Sequence, residues 1–208
     1  MIYVIPARRN SKGLPFKNRR LIENTLKQIP QEEKNKVFIT TDDENIIKNF
    51  SSTYNVIKRP ENLSTDEADI RSVMEHTVSV IDSSEDIVML YLTYPERTWK
   101  DIQGCIEFFK DSNSSSLLCK KEIEQHPFLC MFNKEGNKGK QIVSHDLYRR
   151  QDYPECFEIS HFICIFKQSQ LNILNKNMYN DDTTYYPIGR VVDVDTVQDL
   201  DNFEVNNG

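Results

Sequence analysis

The sequence has no pair of cysteines at Cys-x-x-Cys spacing and no group of cysteine and histidine at the spacing of zinc ligands. These absences exclude the common structural zinc sites and the dithiol redox motif. The odd cysteine count also argues against the disulfide framework of a small secreted protein. We expect the five cysteines to be reduced, half-buried thiols of a cytoplasmic protein; they are Cys105, Cys119, Cys130, Cys156 and Cys164.

Long apolar segments are also missing. Nowhere do eighteen apolar residues follow one another, and no basic segment with an apolar stretch precedes the strand-like run at residues 2–5. A membrane-spanning helix and a secretory signal peptide both need such segments. We therefore expect no membrane partner.

Positive charge is in the minority. The 208 residues include 26 Lys and Arg against 32 Asp and Glu, which gives a formal net charge of -6. This balance argues against nonspecific binding to nucleic acid. Hydrophobic residues at 38% and charged residues at 28% are ordinary for a globular protein, and the length suits one α/β domain over residues 1–208.

The two common phosphate-binding motifs are absent, because the chain has neither a Walker A sequence nor G-x-G-x-x-G. A different loop follows the uncharged run at residues 2–5, where open α/β sheets bind ligands. Gly13 allows close backbone approach there. Four cations and one hydroxyl suited to phosphate oxygens surround it, namely Arg8, Arg9, Lys12, Lys17 and Ser11. The alternative is a solvated basic loop that binds nothing.

Residues 6–18 read Pro-Ala-Arg-x-x-Ser-Lys-Gly-x-Pro-x-Lys-Asn. This pattern resembles the N-terminal signature of the cytidylyltransferases that make CMP-activated acidic sugars, and it is most similar to their N-acylneuraminate (sialic acid) branch. In that family the loop binds the phosphates of CTP. The resemblance implies CTP binding by Arg8, Ser11, Lys12, Lys17 and Asn18, with Arg8 and Lys17 also catalytic.

A second stretch, Arg-Pro-x-x-Leu-Ser-x-Asp at residues 59–66, resembles the cytosine-binding loop of the same family. By that resemblance Arg59 and the backbone near Ala68 hold the base. Ser64 or Asp66 is equally well suited to cap the helix that follows. The two roles are compatible.

Short apolar runs alternate with segments of helical periodicity along most of the chain. Strands are predicted at residues 2–5, 37–42, 55–58, 86–92, 114–119, 158–166, 185–188 and 191–195, with helices between them and a closing helix after Thr196. We predict a three-layer α/β/α fold whose mostly parallel sheet is like that of the nucleotide-diphospho-sugar transferases.

The α/β alternation breaks at residues 125–143. Extended stretches at 125–132 and 141–143 flank a turn rich in Asn, Lys and Gly at 133–140, which predicts a β-hairpin. In the related family the corresponding excursion crosses to a second subunit. The resemblance therefore implies a homodimer with an arm at about residues 123–158, and the alternative is a solvated flap.

The middle of the chain departs from the sialate pattern where the sugar is expected. Tyr91 stands at the position of a glutamine, and Ile159 replaces the asparagine of Glu-Asn-Gly-x-Phe. Arg149 opens an Arg-Arg-Gln-Asp stretch whose first arginine is functionally important in the animal enzymes, although a pair of surface cations is an even alternative. The resemblance implies sugar binding by Tyr91, Thr93, Arg149 and Glu158, with Arg149 also catalytic.

Two aspartates close the pattern near the end of the chain. In the predicted strand at 191–195, alternation places Asp193 and Asp195 on one face. Carboxylates at such a corner suit a hard cation such as Mg²⁺ or Mn²⁺, although Asp-x-Asp alone is weak and an N-capping aspartate is common. The longer pattern Asp-x-Asp-Thr-x-x-Asp-Leu resembles the family's terminal metal signature, which implies that both aspartates bind the metal.

The resemblance as a whole implies transfer of CMP from CTP to an acidic sugar, a sialic-acid-like nonulosonic acid, with release of pyrophosphate. The departures at Tyr91 and Ile159 keep another acceptor open, such as a deoxy-octulosonic acid or a phosphorylated small molecule. A third alternative is a catalytically idle nucleotide-binding homologue. The intact cations and aspartates argue against it.

Overall fold

The centre of the molecule is a seven-stranded sheet, seen in a computed structural model that describes residues 1–207. Its strands are β1 (Ile2–Pro6), β2 (Val37–Thr41), β3 (Asn55–Lys58), β4 (Ile87–Met89), β5 (Ser116–Glu122), β8 (Phe157–Phe166) and β9 (Thr184–Pro187). They lie in the order β3-β2-β1-β4-β8-β5-β9. Strands β6 (Met131–Lys134) and β7 (Lys138–Gln141) form a separate hairpin.

Only β8 runs against the direction of its neighbours in this sheet. It pairs antiparallel with β4 and β5, whereas the other strand pairs are parallel. All five residues of β1 are buried, as expected for a strand covered on both faces. The predicted mostly parallel α/β sheet is confirmed.

Helices cover the sheet because each one buries an apolar stripe. They are α1 (Lys17–Leu26), α2 (Glu44–Phe50), α3 (Ile70–Val80), α4 (Trp99–Asp111) and α5 (Val197–Asn207). In α1 the buried stripe contains Leu21, Ile22 and Leu26. Among the described residues, no helix combines the length and apolar character needed to cross a membrane.

Side chains cap the starts of α3, α4 and α5. Thr98 and Asp101 form a reciprocal capping box at α4, and the Thr196 hydroxyl accepts a hydrogen bond from the Asp199 N–H at 3.2 Å, as the sequence predicts. The expected cap of α3 is wrong, because neither Ser64 nor Asp66 fills it. Asp69 does so, accepting a hydrogen bond from the Ser72 N–H at 3.0 Å.

The strand predicted at residues 191–195 does not form. The Val194 N–H donates to the carbonyl oxygen of Thr93 at 2.8 Å, which attaches this irregular segment to the loop after β4. Strand β4 already pairs with β1 on one side and β8 on the other, so its edges are occupied. The segment therefore lies beside the end of β4 without joining the sheet.

The predicted hairpin is confirmed, with shifted boundaries. Strands β6 (Met131–Lys134) and β7 (Lys138–Gln141) pair antiparallel and occupy most of the expected turn at residues 133–140. The chain reverses at Gly136 and Asn137, which have φ of 68° and 59°. Glycine and asparagine tolerate this conformation best, so the turn is short.

Candidate active site

The basic loop after β1 is fastened at both ends. The Ala7 N–H donates to the Thr40 carbonyl at 2.9 Å, which extends the β1–β2 pairing by one residue. At the far end the Asn18 side-chain amide donates to the carbonyl of Arg8 at 2.6 Å. The loop is therefore closed on itself, and Asn18 has a structural role in addition to its predicted one.

A cavity of about 280 Å³ lies against this loop, and we call it the loop cavity. Residues from the segment after β3 and from the end of β4 complete its walls, because parallel strands bring their carboxyl ends to one edge. Six of the seven predicted CTP-binding residues line it, namely Arg8, Ser11, Lys17, Asn18, Arg59 and Ala68. Lys12 lies at its margin, with a side chain that is 82% exposed.

Arg59 is the most deeply buried cation of the loop cavity, with 6% of its surface exposed. Burial lowers the pKa of its guanidinium to about 10, against an opposing effect of Asp42. One terminal N–H₂ donates to the Thr40 carbonyl at 2.9 Å, whereas Nε has no hydrogen-bond partner in the described part of the chain. A buried donor without a partner is costly, and the side chain that carries this one lines the loop cavity.

A second cavity, of about 310 Å³, adjoins the first, and we call it the aspartate cavity. Lys17, Tyr91 and Thr93 line both cavities and form the wall between them. The remaining lining residues of the aspartate cavity are Tyr94, His161, Asn177, Asp193 and Asp195. The structure thus brings the cationic loop and the two aspartates to opposite sides of one wall.

The two aspartates have different surroundings. Asp195 accepts a hydrogen bond from the Lys17 ammonium at 2.6 Å, and its side chain is 64% exposed. Asp193 is exposed overall, but its carboxyl is partly enclosed and accepts hydrogen bonds from Thr93 and Tyr94. This enclosure, together with the negative charge of Asp195, raises the pKa of Asp193 despite those hydrogen bonds.

The donor set of the aspartate cavity fits a divalent cation shared with a nucleotide. In residues 1–207 no cluster of three or more His, Cys, Asp or Glu side chains could hold a metal by itself. Mg²⁺ needs no such cluster, since it commonly binds through one or two carboxylates, substrate phosphates and waters. Asp193 and Asp195 supply the two carboxylates.

An additional carboxylate, Asp66, neutralises the basic loop. It lies 2.7 Å from the Arg8 guanidinium and 3.3 Å from the Lys12 ammonium. Partial desolvation raises the pKa of Asp66, but hydrogen bonds from Lys12 and Arg8 outweigh that effect and hold it below its usual range. The sequence predicts only a capping role for Asp66, so its contact with the loop is found in the structure alone.

We expect Asp66→Asn to bind CTP about two- to five-fold more tightly than the native chain, because exposed ion pairs of this kind are weak but must still be exchanged for phosphate contacts. Calorimetric titration of both proteins with CTP measures the change. Asp82→Asn, on the loop before β4, is the control and should leave affinity unchanged. Weaker binding by Asp66→Asn contradicts the competition described here.

Gly13 holds the loop against the segment that carries Asp195. A Cβ atom added at Gly13 would lie 2.4 Å from the backbone oxygen of Asp195, a distance at which one of the two segments must move.

We expect Gly13→Ala to lower turnover by about tenfold or more, because a small misplacement of reacting groups slows the reaction strongly. Gly189→Ala is the matched control, because a Cβ there meets nothing within 4 Å. Equal turnover of Gly13→Ala and native protein contradicts the expected result.

Two predicted sugar-binding residues, Arg149 and Glu158, lie outside both cavities, as does Ile159, which departs from the sialate pattern. Arg149 is in the arm and forms a two-point ion pair with Asp152, with both N···O distances at 3.0 Å. Glu158 pairs with Lys121 at 3.1 Å near the start of β8. Ile159 beside it is 40% exposed. Their predicted roles therefore stay predictions, whereas Tyr91 and Thr93 lie in the cavity wall.

The sequence analysis did not identify Tyr94, His161 or Asn177 as site residues, although all three line the aspartate cavity. Tyr94 lies in the loop after β4, so its neighbourhood was predictable from Thr93. His161 sits within an apolar strand, and Asn177 in a polar loop, so neither belongs to a recognisable motif. Only the packing of β8 against that loop brings them together.

Comparisons with known proteins identify relatives of this chain. A sequence model described as cytidylyltransferase matches residues 2–168. An N-acylneuraminate cytidylyltransferase of Streptococcus agalactiae serotype V is 26% identical over 213 residues, covering 96% of this chain and 51% of that protein. A post-translational flagellin modification protein B of Campylobacter coli is also 26% identical, and the match covers 97% of this chain and 90% of that protein.

Among solved structures, a CMP:2-keto-3-deoxy-manno-octonic acid synthetase complexed with CTP superposes with a TM-score of 0.71 at 12% identity, covering 99% of this chain and 97% of the other. At that identity the likeness shows the fold alone. The chain spans about half the length of the Streptococcus relative. Because the family model covers most of the chain, the protein belongs to the cytidylyltransferase family.

Proposed function

We propose that this protein transfers CMP from CTP to an acidic sugar, most closely a sialic-acid-like nonulosonic acid, and releases pyrophosphate. The observation that carries the proposal is the shared wall of Lys17, Tyr91 and Thr93. A triphosphate among the cations of the loop cavity would have its α-phosphate beside this wall. An acceptor in the aspartate cavity would then approach that phosphate from the other side.

The proposed reaction is an in-line displacement at the α-phosphorus. A bond forms from the sugar hydroxyl oxygen to the α-phosphorus, the bond from that phosphorus to pyrophosphate breaks, and the hydroxyl proton passes to water. Positioning and charge stabilisation carry such transfers. Arg8, Lys12 and Lys17 would stabilise the departing phosphates, and Asp193 and Asp195 would hold Mg²⁺ or Mn²⁺. The cation, when bound, neutralises charge that develops on the α-phosphate oxygens.

The choice of acceptor rests on the relatives. A deoxy-octulosonic acid and a phosphorylated small molecule are the alternative acceptors within the same chemistry. The fold is shared with a synthetase that is named for an octonic acid. In addition, Tyr91 replaces the glutamine of the sialate pattern. Tyrosine keeps one hydroxyl for a sugar but loses the amide. An acid less polar than N-acetylneuraminate at that position fits the wall better.

The test is a pyrophosphate-release screen of the purified protein with CTP, Mg²⁺ and a panel of acids. The panel contains N-acetylneuraminate, deoxygenated nonulosonic acids, a deoxy-octulosonic acid and a phosphorylated sugar alcohol. We expect release with one or more nonulosonic acids and none without an acceptor. Release with the phosphorylated compound alone would assign a different cytidylyltransferase reaction, and release with none would favour an idle homologue.

We also propose that two copies of the chain associate through the arm. The arm leaves large apolar side chains in solvent, with Met131 64% exposed, Phe132 59% and Tyr148 96%. Clustered exposed apolar groups of this kind mark interaction surfaces. Because Arg149 belongs to the arm, such a pairing would place it near the other copy.

Phe132→Asp should convert a dimer to a monomer, because a charge in a desolvated interface has no partner there. Light scattering coupled to gel filtration measures the mass of each protein. Phe108→Asp is the matched control, since Phe108 is 40% exposed on α4, outside the arm. A native chain that is monomeric at high concentration refutes this arrangement.

A further inference from the structure

His161 is one of three residues of the aspartate cavity that neither the sequence pattern nor the proposed reaction uses. It lies on β8 and is half-buried. Its ring meets the ring of Tyr91 edge-on, with centroids 5.8 Å apart and an interplanar angle of 89°. Because Tyr91 belongs to the wall between the two cavities, His161 stands on the side of that wall away from the basic loop.

One nitrogen of His161 has a fixed function. Nε2 lies 3.3 Å from the backbone oxygen of Asn177, and a carbonyl oxygen only accepts hydrogen bonds, so Nε2 carries a proton. The Asn177 carbonyl is itself held in place. The Asn175 N–H closes the loop onto the Tyr179 carbonyl at 2.9 Å, and Met178 between them is fully buried with φ of 70°.

The other nitrogen, Nδ1, has no hydrogen-bond partner among the residues that the structure describes. In the neutral ring with a proton on Nε2, Nδ1 is an acceptor. A ligand group that binds to it must therefore donate. Sugar hydroxyls donate, whereas an ionised sugar carboxylate does not.

The charges around the cavity favour the same choice. Asp193 and Asp195 line it, and the one lysine, Lys17, already pairs with Asp195. An acceptor carboxylate placed beside His161 would therefore find no side-chain cation there to offset its charge, whereas a hydroxyl needs none. The aspartate cavity near His161 therefore suits the hydroxylated part of an acid.

We propose that His161 determines which acid is accepted, by taking a hydrogen bond at Nδ1 from one hydroxyl of the acceptor. This inference rests on the proposed function, since it concerns the acceptor of that reaction. Asn177 fixes the ring through its carbonyl, and Tyr91 limits the tilt of the ring through their edge-on contact. The substrate class is a polyhydroxylated acid whose hydroxyl faces β8.

The experiment compares steady-state kinetics of the full chain and three variants on the acid that the native protein uses best. We expect His161→Ala to raise the acceptor KM by about 3- to 10-fold and to leave the CTP KM unchanged, the size expected for one lost hydrogen bond. His161→Asn should recover part of the loss, because its amide oxygen can stand near the position of Nδ1. His76→Ala, a half-buried histidine on α3 outside both cavities, should match the native protein.

A second readout separates recognition from mere support of the fold. With two acids that differ only in the hydroxyl that donates to Nδ1, the native protein should prefer the hydroxylated acid. His161→Ala should lose that preference. The inference is overturned if the native protein transfers CMP and His161→Ala keeps the native acceptor KM and preference, or if the CTP KM rises equally. If the native protein uses no acid, the proposed function fails first and this inference falls with it.

Discussion

Replacing Asp195 by asparagine is expected to reduce CMP transfer on the order of 10²-fold or more. Asparagine keeps the shape of the side chain but removes the charge that pairs with Lys17 and that we assign to the divalent cation. A loss of that size corresponds to about 2.7 kcal/mol in the transition state. Folding should be preserved, because the side chain is 64% exposed and exposed ion pairs contribute little to stability.

The measurement is turnover across a Mg²⁺ titration for the native protein, Asp195→Asn and Asp201→Asn. Asp201 is an exposed aspartate of α5, so its variant controls for the loss of one negative charge near the same end of the chain. We expect native behaviour from the control and a weaker, shifted Mg²⁺ response from Asp195→Asn. Turnover of the native protein that does not depend on Mg²⁺ would contradict a role for the metal in CMP transfer.

The second large effect concerns the base. We expect the native protein to use CTP over UTP by on the order of 10²-fold or more, because a site built to hydrogen-bond one base leaves buried groups unpaired with the other. Arg59 has a buried donor without a partner in the described chain and lines the loop cavity. The ring nitrogen N3 of cytosine accepts a hydrogen bond, whereas that of uracil carries a proton.

Arg59→Lys should lower the ratio of kcat/KM for CTP to that for UTP by about tenfold, since lysine keeps the charge but lacks the planar fork. Arg71→Lys is the matched control, because Arg71 is a half-buried arginine of α3 whose guanidinium pairs with Glu75 outside the loop cavity. Equal use of both nucleotides by the native protein would exclude Arg59 as the selector.

The sequence predicted the parts of the fold that local rules determine. Strand β1 is an uncharged run that ends at a proline, and the loop after it contains the cations expected of a phosphate site. The capping box at Thr98 and the hairpin around Gly136 also follow from residue type and spacing. Local preferences and long-range packing agree at these places, so the pattern alone suffices.

Features that depend on distant packing were not predictable. Residues 191–195 alternate like a strand, but both edges of β4 are taken. Arginine is usually exposed. Arg97 is nevertheless buried, with its guanidinium donating to the Phe162 carbonyl at 2.7 Å and to the Thr25 hydroxyl at 3.2 Å. Burial lowers its pKa to about 10. The contacts that decide these cases join residues more than sixty positions apart.

Transfer of CMP from CTP to an acid is tested most directly by following the α-phosphate. CTP labelled on that phosphate is incubated with the purified protein, Mg²⁺ and the best acid of the screen, and the products are separated and weighed by mass spectrometry. We expect the label in a one-to-one CMP–acid conjugate, with unlabelled pyrophosphate released in equal amount. Label that stays in CTP, or appears as free CMP without any conjugate, would contradict it.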